Sequence, residues 1–147
     1  MARENKTMSS KLTNNFSLGE FRCKDGTSVP EEHMDNVEEL AENLQVLREY
    51  LGKPIRVISG YRSPKHNRKI KGARRSQHLT ASAADVKIKG MEPQEIKKIV
   101  EQLIKEGKMK QGGIGLYRTF LHYDIRGRKA RWFGKGVKDD REGRFYK

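Results

Sequence analysis

The chain of 147 residues has little cysteine, no long apolar run and few acidic residues in its second part. Its one cysteine, Cys23, has no partner in the chain, which excludes an intramolecular disulfide. No run of about 18 apolar residues occurs, which excludes a membrane-spanning helix. Residues 1–10 are polar, so we expect no secretory signal. The fold must therefore be stabilised by the modest core that a domain of this length can bury.

The charge is unevenly distributed along the chain. Residues 1–52 contain 6 Lys and Arg against 10 Asp and Glu, whereas residues 53–147 contain 26 against 9. The balances of −4 and +17 give the net charge of +13. Such an excess attracts polyanions such as nucleic acid, an anionic cell-wall polymer or a membrane surface. The basic run 65–75 has no aromatic residue for base stacking, which argues against nucleic acid.

The hydrophobic pattern predicts two helices and a small sheet. One helix is expected from Pro30 to Leu51, because apolar side chains recur there at helical spacing and proline favours the first turn. A second helix is expected from Pro93 to about Gly107. Segments with β-branched or alternating apolar residues are expected as strands, at 55–59, 84–89, 112–117 and 120–126, the last two as a hairpin. Helices packed on a small, mostly antiparallel sheet make an α+β fold.

Composition divides the chain into three parts. Residues 1–15 are polar and are predicted to be a flexible lead-in. Residues 16–132 carry the predicted helices and strands and form one domain. Residues 133–147 are charged and contain several glycines, so we expect a loose tail there.

Three residues that can bind a metal lie within recognisable local patterns. His78 and Asp85 occur in the segment 76–85, and His122 occurs in the segment 120–124. Two imidazoles and one carboxylate are a common ligand set for a catalytic zinc, which keeps a fourth position open. A structural zinc usually has four ligands rich in cysteine, and this chain has one cysteine. The pattern therefore favours a metal that takes part in chemistry.

A shared metal at His78 and Asp85 requires the chain to bend back between them. Seven residues span about 10 Å in a helix and about 23 Å when extended. Ligand atoms lie about 2 Å from a zinc ion, so neither regular form brings the two side chains together. The small residues at 80–83 permit a tight turn. The spacing alone leaves metal binding and ordinary hydrogen-bonded histidines as open alternatives.

Three motifs occur in a characteristic order. They are Ser-Gly-Tyr-Arg-Ser at 59–63, Ser-x-His-x6-Asp at 76–85, and Gly-Gly-Ile-Gly-Leu-Tyr followed by His-Tyr-Asp-Ile-Arg-Gly and Arg-Trp within 112–132. With these motifs the chain resembles the zinc D-Ala-D-Ala carboxypeptidase and endopeptidase family, which cleaves peptidoglycan peptides. The resemblance extends from about Phe16 to Trp132. It implies a fold of the Hedgehog/DD-peptidase type.

The resemblance also implies roles for individual residues. His78, Asp85 and His122 would bind one zinc ion per chain. Arg62 would bind a substrate carboxylate or the developing oxyanion, and Ser76 would take part in substrate binding. Zinc would lower the pKa of a bound water to about 7 and polarise the scissile carbonyl. An acidic group would then accept the proton of that water.

Two positions depart from the family pattern. Ala81 replaces a common glycine, and an alanine costs about 1–2 kcal/mol if the position requires a positive φ. Thr119 replaces the usual acidic residue three positions before the last histidine, and it cannot act as a base. Asp124 is the nearest replacement, because residues i and i+2 of a strand share a side and place it beside His122. Asp124 is either the general base or an acceptor that orients His122.

Two functions are compatible with the sequence. The first is a monomeric zinc peptidase that cleaves peptidoglycan stem peptides as a carboxypeptidase or endopeptidase, with the basic part of the chain binding anionic cell-wall polymer. Without a secretory signal, we expect synthesis in the cytoplasm and release to the wall as a phage or prophage lysis protein. The second is a catalytically silent zinc-binding module whose basic surface binds nucleic acid or wall polymer. The missing acidic residue at Thr119 favours the second function.

Overall fold

The computed structural model describes residues 7–137, which surround one five-stranded sheet. The helices are α1 (Met34–Leu51), α2 (Pro64–Lys69) and α3 (Pro93–Lys105), and the strands are β1 (Arg56–Ser59), β2 (Ala83–Lys87), β3 (Gly113–Leu116), β4 (Leu121–Asp124) and β5 (Ala130–Phe133). The strand order is β1-β2-β4-β3-β5. Three of the four strand pairs are antiparallel, and β3 and β5 are parallel. The predicted α+β class is confirmed.

Both predicted long helices are present, with the expected ends. A 3-10 turn at Glu31–His33 leads into α1, which ends where Gly52 adopts a left-handed φ of 65°. Pro93 lies in the first turn of α3, and Glu92 and Glu95 form a reciprocal capping box there. The apolar faces of the two helices join one core with the sheet, to which the helices contribute Val37, Leu40, Leu44, Ile96, Val100 and Leu103.

A short helix, α2, lies within the basic run and was not expected from hydrophobic periodicity. Ser63 caps it by accepting a hydrogen bond from the backbone N–H of His66, and Pro64 follows at the first helical position. Lys71, just after the helix, has a left-handed φ of 57°. Few residues other than glycine adopt that conformation without strain.

Substitution of Lys71 by glycine is expected to raise the free energy of unfolding by roughly 0.5–1 kcal/mol. Glycine removes about 1–2 kcal/mol of strain from the left-handed conformation. It also makes the unfolded chain more flexible, which costs roughly 0.5–1 kcal/mol on folding, so the relief of strain is the larger effect. Arg68→Gly is the matched control: this exposed position inside α2 is expected to lose about 1 kcal/mol. Urea denaturation checks both values, and a loss of stability in both variants would contradict the assignment of strain to Lys71.

Alternation along the strands separates the core from a functional face. In β4, Leu121 and Tyr123 belong to the apolar core, while His122 and Asp124 project from the opposite side. Asp85 of β2 shares that side, as the alternating pattern predicts. Helices α1 and α3 therefore cover one face of the sheet, and the polar candidates gather on the other.

The described ends of the chain pack against this body. Thr13 Oγ1 and the backbone N–H of Asn15 donate hydrogen bonds of 2.8 and 2.9 Å to Gln45 Oε1. Phe133 and Val137 are buried, although the sequence predicts a loose tail from 133 onward, because β5 pairs with β3 as the last strand of the sheet.

Residues 1–6 and 138–147 lie outside the described residues, and the domain boundaries stay predictions. Within 7–137, no helix combines the length and apolarity needed to cross a bilayer.

Candidate active site

Strand register and one tight turn bring the three candidate ligands together. Asp85 in β2 lies directly opposite His122 in β4. His78 lies in a 3-10 turn at Gln77–Thr80, and the next residue, Ala81, is left-handed with φ 58° and ψ 30°. This residue reverses the chain so that it enters β2. The structure thus contains the bend that a shared metal at His78 and Asp85 requires.

The conformation of Ala81 explains why glycine is common at this position of the family pattern. A left-handed alanine costs about 1–2 kcal/mol. Ala81 is only 1% exposed, and burial of one methyl or methylene group contributes about 0.8 kcal/mol. Because burial offsets part of the strain, the turn keeps its glycine-like form with alanine in place.

The facing atoms of the trio have the spacing of ligands on one ion. His78 Nε2 lies 3.4 Å from Asp85 Oδ1, and His122 Nδ1 lies 3.1 Å from the same oxygen. Ligand atoms of a tetrahedral zinc are about 3.3–3.7 Å apart. One atom from each residue lies within 4.8 Å of the other two, and all three residues are buried. The residue types and their spacing fit zinc.

Each histidine also has its other ring nitrogen held by a separate acceptor. His78 Nδ1 lies 2.7 Å from the carbonyl oxygen of Gly60, and His122 Nε2 lies 2.7 Å from Asp124 Oδ2. His78 Nε2 and His122 Nδ1 are then the nitrogens that face Asp85 and that a metal would take. Contacts of this kind fix the tautomer and orientation of metal-binding histidines. The trio is therefore oriented in advance for a cation.

The electrostatics of the trio also suit a cation. Burial lowers the pKa of His78 below its ordinary value, so this ring stays neutral near pH 7. Burial opposes the charged form of His122, but hydrogen bonds with Asp124 and Asp85 outweigh it and raise the pKa of His122. Burial likewise opposes ionisation of Asp85, yet its two histidine neighbours hold its pKa below the usual range. A metal would replace the proton that His122 shares with an ionised Asp85.

Asp124 is completely buried, and both oxygens of its carboxylate accept hydrogen bonds. Its Oδ1 accepts hydrogen bonds of 2.9 Å from the backbone N–H of Gly113 and from Nε of Arg126. Its Oδ2 accepts from Arg126 Nη2 at 2.8 Å, in addition to His122 Nε2. Burial opposes its ionisation, but the contacts with His122 and Arg126 hold its pKa below the usual range. Asp124 thus contacts the nitrogen of His122 that is turned away from Asp85.

A cleft opens over the trio, with cationic and aromatic side chains in its walls. It is lined by Arg62, Arg75, Ser76, Tyr117, Phe120, Arg126 and Trp132, together with the three candidate ligands and four neighbouring residues. Arg62 Nη2 lies 3.7 Å from Asp85 Oδ2, and its buried Nε has no hydrogen-bond partner among the described residues. Ser76 Oγ accepts a hydrogen bond from the N–H of His78. Thr119 lines a different cavity, beside Pro93 and Ile96.

Two residues of the cleft were missed as functional candidates in the sequence. Arg126 pairs with Asp124, and strand alternation predicts their common side, because 122, 124 and 126 are two residues apart. Trp132, the one tryptophan of the chain, packs against His122 with ring centroids 4.9 Å apart and the rings tilted by 55°. Its indole occupies the space over Gly115, where a Cβ would clash with it. A glycine within a strand, such as Gly115, indicates that another group approaches the backbone closely, but the sequence does not identify that group as Trp132.

The comparison with known families agrees with this geometry. A family model described as Peptidase M15 matches residues 14–124. That range contains His78, Asp85 and His122 as well as Asp124. No curated protein matches the chain. The matched range ends before β5, so Trp132 lies outside it.

Proposed function

Since the chain belongs to the peptidase M15 family, whose members are zinc enzymes, we propose that it is a zinc-dependent metallopeptidase that hydrolyses peptide bonds in peptidoglycan stem peptides. The observation that carries the proposal is the arrangement of the two histidines. His78 and His122 each have one nitrogen held by a fixed acceptor and the other directed at Asp85. Ordinary buried histidines are also hydrogen-bonded, but these two rings converge on the same carboxylate oxygen, Asp85 Oδ1, at 3.4 and 3.1 Å.

The mechanism rests on a zinc ion held by His78, Asp85 and His122. When bound, zinc supplies a Lewis acid and lowers the pKa of a bound water to about 7. A water of that pKa would need only a weak proton acceptor from the protein. The cleft agrees with this, because Asp85 is the one carboxylate among its described lining residues.

Within this proposal Asp124 is a positioning residue rather than the general base. It contacts Nε2 of His122, whereas Nδ1 is the nitrogen that faces Asp85. Its 0% exposure and its ion pair with Arg126 leave it no path to a substrate in the cleft. Its role is to fix the ring of His122 and to strengthen that ring as a ligand.

The walls of the cleft support a peptide substrate that carries free carboxylates. Arg62, Arg75 and Arg126 contribute positive charge, and Tyr117 stacks on Phe120 with ring centroids 4.5 Å apart. Stem peptides of peptidoglycan combine several carboxylates with short side chains, so charge rather than a deep apolar pocket would select them. The net charge of +13 also favours anionic cell-wall polymer as a second partner.

Arg62 is proposed to bind a substrate carboxylate or the developing oxyanion through its guanidinium group, since its side chain lines the cleft. We expect Arg62→Lys to reduce kcat/KM about 10-fold, because lysine keeps the charge but loses the planar fork. A rise in KM alone indicates a substrate carboxylate, and a fall in kcat indicates the oxyanion. Arg74→Lys is the control, since Arg74 is exposed and does not line this cleft. Equal effects in both variants would contradict a special role for Arg62.

The decisive experiment is digestion of purified peptidoglycan with and without added zinc, followed by mass analysis of the fragments. Release of single alanine residues identifies a carboxypeptidase, and release of longer peptides identifies an endopeptidase. Chelation should abolish either product, and zinc should restore it. A protein that binds zinc but generates no new peptide termini is not a peptidase for this substrate.

The same experiment tests the alternative of a catalytically silent zinc-binding module. The observation in its favour is that Thr119 replaces the usual acid and lines a separate cavity. This alternative predicts bound zinc, no cleavage, and salt-sensitive binding to wall polymer or nucleic acid. Equal binding to both polyanions would show that the charge acts without selectivity.

A further inference from the structure

A second group of metal-ligating side chains lies away from the cleft. Cys23 and Asp25 belong to the loop that follows the first 3-10 turn, and His66 belongs to α2. One potential ligand atom from each, the thiol sulfur, a carboxylate oxygen and an imidazole nitrogen, lies within 4.8 Å of the other two. Among the described residues, this group and the catalytic trio are the two clusters with that property. None of its three members lines the cleft.

Ser63 holds the group together. Its hydroxyl donates a hydrogen bond of 2.7 Å to Asp25 Oδ2 and accepts one of 3.1 Å from the backbone N–H of His66. Its own backbone N–H lies 3.4 Å from the sulfur of Cys23. One residue therefore contacts the side chains of Cys23 and Asp25 and the backbone of His66, and so joins the two separate segments of the chain.

The chemistry of the three groups suits a cation that binds sulfur. A thiolate, an imidazole and a carboxylate are all ligands of zinc, and thiolate excludes the hard cations calcium and magnesium. Asp25 is ionised at neutral pH, because hydrogen bonds from Thr27 and Ser63 hold its pKa below the usual range. The residue Cys23 is 1% exposed, but it lines a surface cavity together with Asp25, through which an ion can enter.

Three lysines nearby, Lys24, Lys65 and Lys69, line the adjoining cavity with Asp25 and His66. They oppose a bare cation, but a divalent ion bound by a thiolate and a carboxylate forms a neutral complex. The ligand atoms lie within 4.8 Å of one another, so tetrahedral spacing requires them to move closer by at most about 1 Å. Asp25 is exposed and His66 is partly exposed, so both side chains are able to make this adjustment.

We propose that Cys23, Asp25 and His66 form a second binding site, separate from the catalytic centre, for a divalent cation of the zinc class. The ion would join the loop at 23–27 to the start of α2. Because Ser63 directly follows Arg62, the ion would also hold in place the backbone that carries Arg62 into the cleft. A cation bound at this site stabilises the folded chain by an amount that grows with the logarithm of its free concentration above the Kd.

Cobalt(II) tests the proposal, because thiolate ligation of cobalt produces an intense near-ultraviolet charge-transfer band. The catalytic trio contains no sulfur and cannot produce it. We expect metal-free full-length protein to bind two equivalents of cobalt, one of them with this band. His122→Ala should lose one equivalent and retain the band, which separates this site from the proposed peptidase centre.

Variants of the second site complete the test. Cys23→Ser should lose the band, and His66→Ala should weaken the cobalt affinity of the band-forming site by at least about 10-fold, as loss of a ligand costs no less than loss of a supporting contact. His66 is partly exposed, so this variant keeps the test valid if Cys23→Ser fails to fold. His33→Ala is the matched histidine control, and its band should be unchanged. Absence of the band in the wild-type protein, or a band unaffected by His66→Ala, would overturn the proposal.

Discussion

Asp85→Asn is expected to remove one equivalent of bound zinc and to reduce kcat/KM by about 1,000-fold or more. Asparagine keeps the shape of the side chain but removes the negative charge that lies between His78 and His122. Loss of a metal that stabilises the transition state by several kcal/mol corresponds to three or more factors of ten, at about 1.4 kcal/mol each. Zinc analysis of the dialysed protein and a peptidoglycan cleavage assay give the two values.

The control for this experiment is Glu42→Gln, which makes the same change of charge at an exposed position of α1. It should leave both zinc content and activity unchanged. Chelation of the wild-type enzyme should reproduce the loss seen in Asp85→Asn. If Asp85→Asn retains full zinc content and activity, the trio is not the metal centre.

Asp124→Asn is expected to lower zinc affinity by about 10–100-fold, the usual effect of removing a contact that supports a ligand. Saturating zinc should restore most of kcat, because Asp124 acts through His122. The free energy of unfolding should also fall by about 3 kcal/mol, since the substitution breaks the buried pair with Arg126. Zinc titration followed by activity, together with urea denaturation, measures the three effects.

A role as general base predicts a different result for the same variant. Zinc affinity would be unchanged, and kcat would fall by about 100-fold or more at any zinc concentration. Arg126→Gln separates stability from metal binding, because it breaks the ion pair and leaves Asp124 beside His122. It should destabilise the protein with a smaller loss of zinc affinity than Asp124→Asn. Loss of kcat in Asp124→Asn with full zinc content would establish the base role.

The sequence predicted those parts of the fold that local chemistry determines. Helical periodicity and a terminal glycine placed α1 correctly, and alternation placed Asp85 on the side opposite the core. The shared metal proposed for His78 and Asp85 required a bend between them, and the glycine common at position 81 in the family raised the question of a positive φ there, which the structure contains. In each case the relevant interaction lies within a few residues along the chain.

Contacts between segments that are distant along the chain could not be predicted from local sequence patterns. The carbonyl of Gly60 that orients His78 belongs to the backbone and leaves no side-chain signal. The parallel pairing of β5 with β3 depends on register between distant segments, so Phe133 was assigned to a tail. Helix α2 has only six residues and no apolar stripe, and its one signal was the Ser63-Pro64 start. Physical proximity, rather than residue type, was the missing information.

The parallel pairing of β5 with β3 also bears on how this protein can be produced in shortened form. The matched family range ends at residue 124, but the folding unit continues to at least Val137. A fragment ending at Asp124 would leave the outer edge of β3 unpaired, and exposed edge strands promote aggregation. It would also lack Trp132 beside His122 and Phe133 in the core. Expression boundaries drawn from the family match alone would therefore yield an insoluble product with an incomplete cleft.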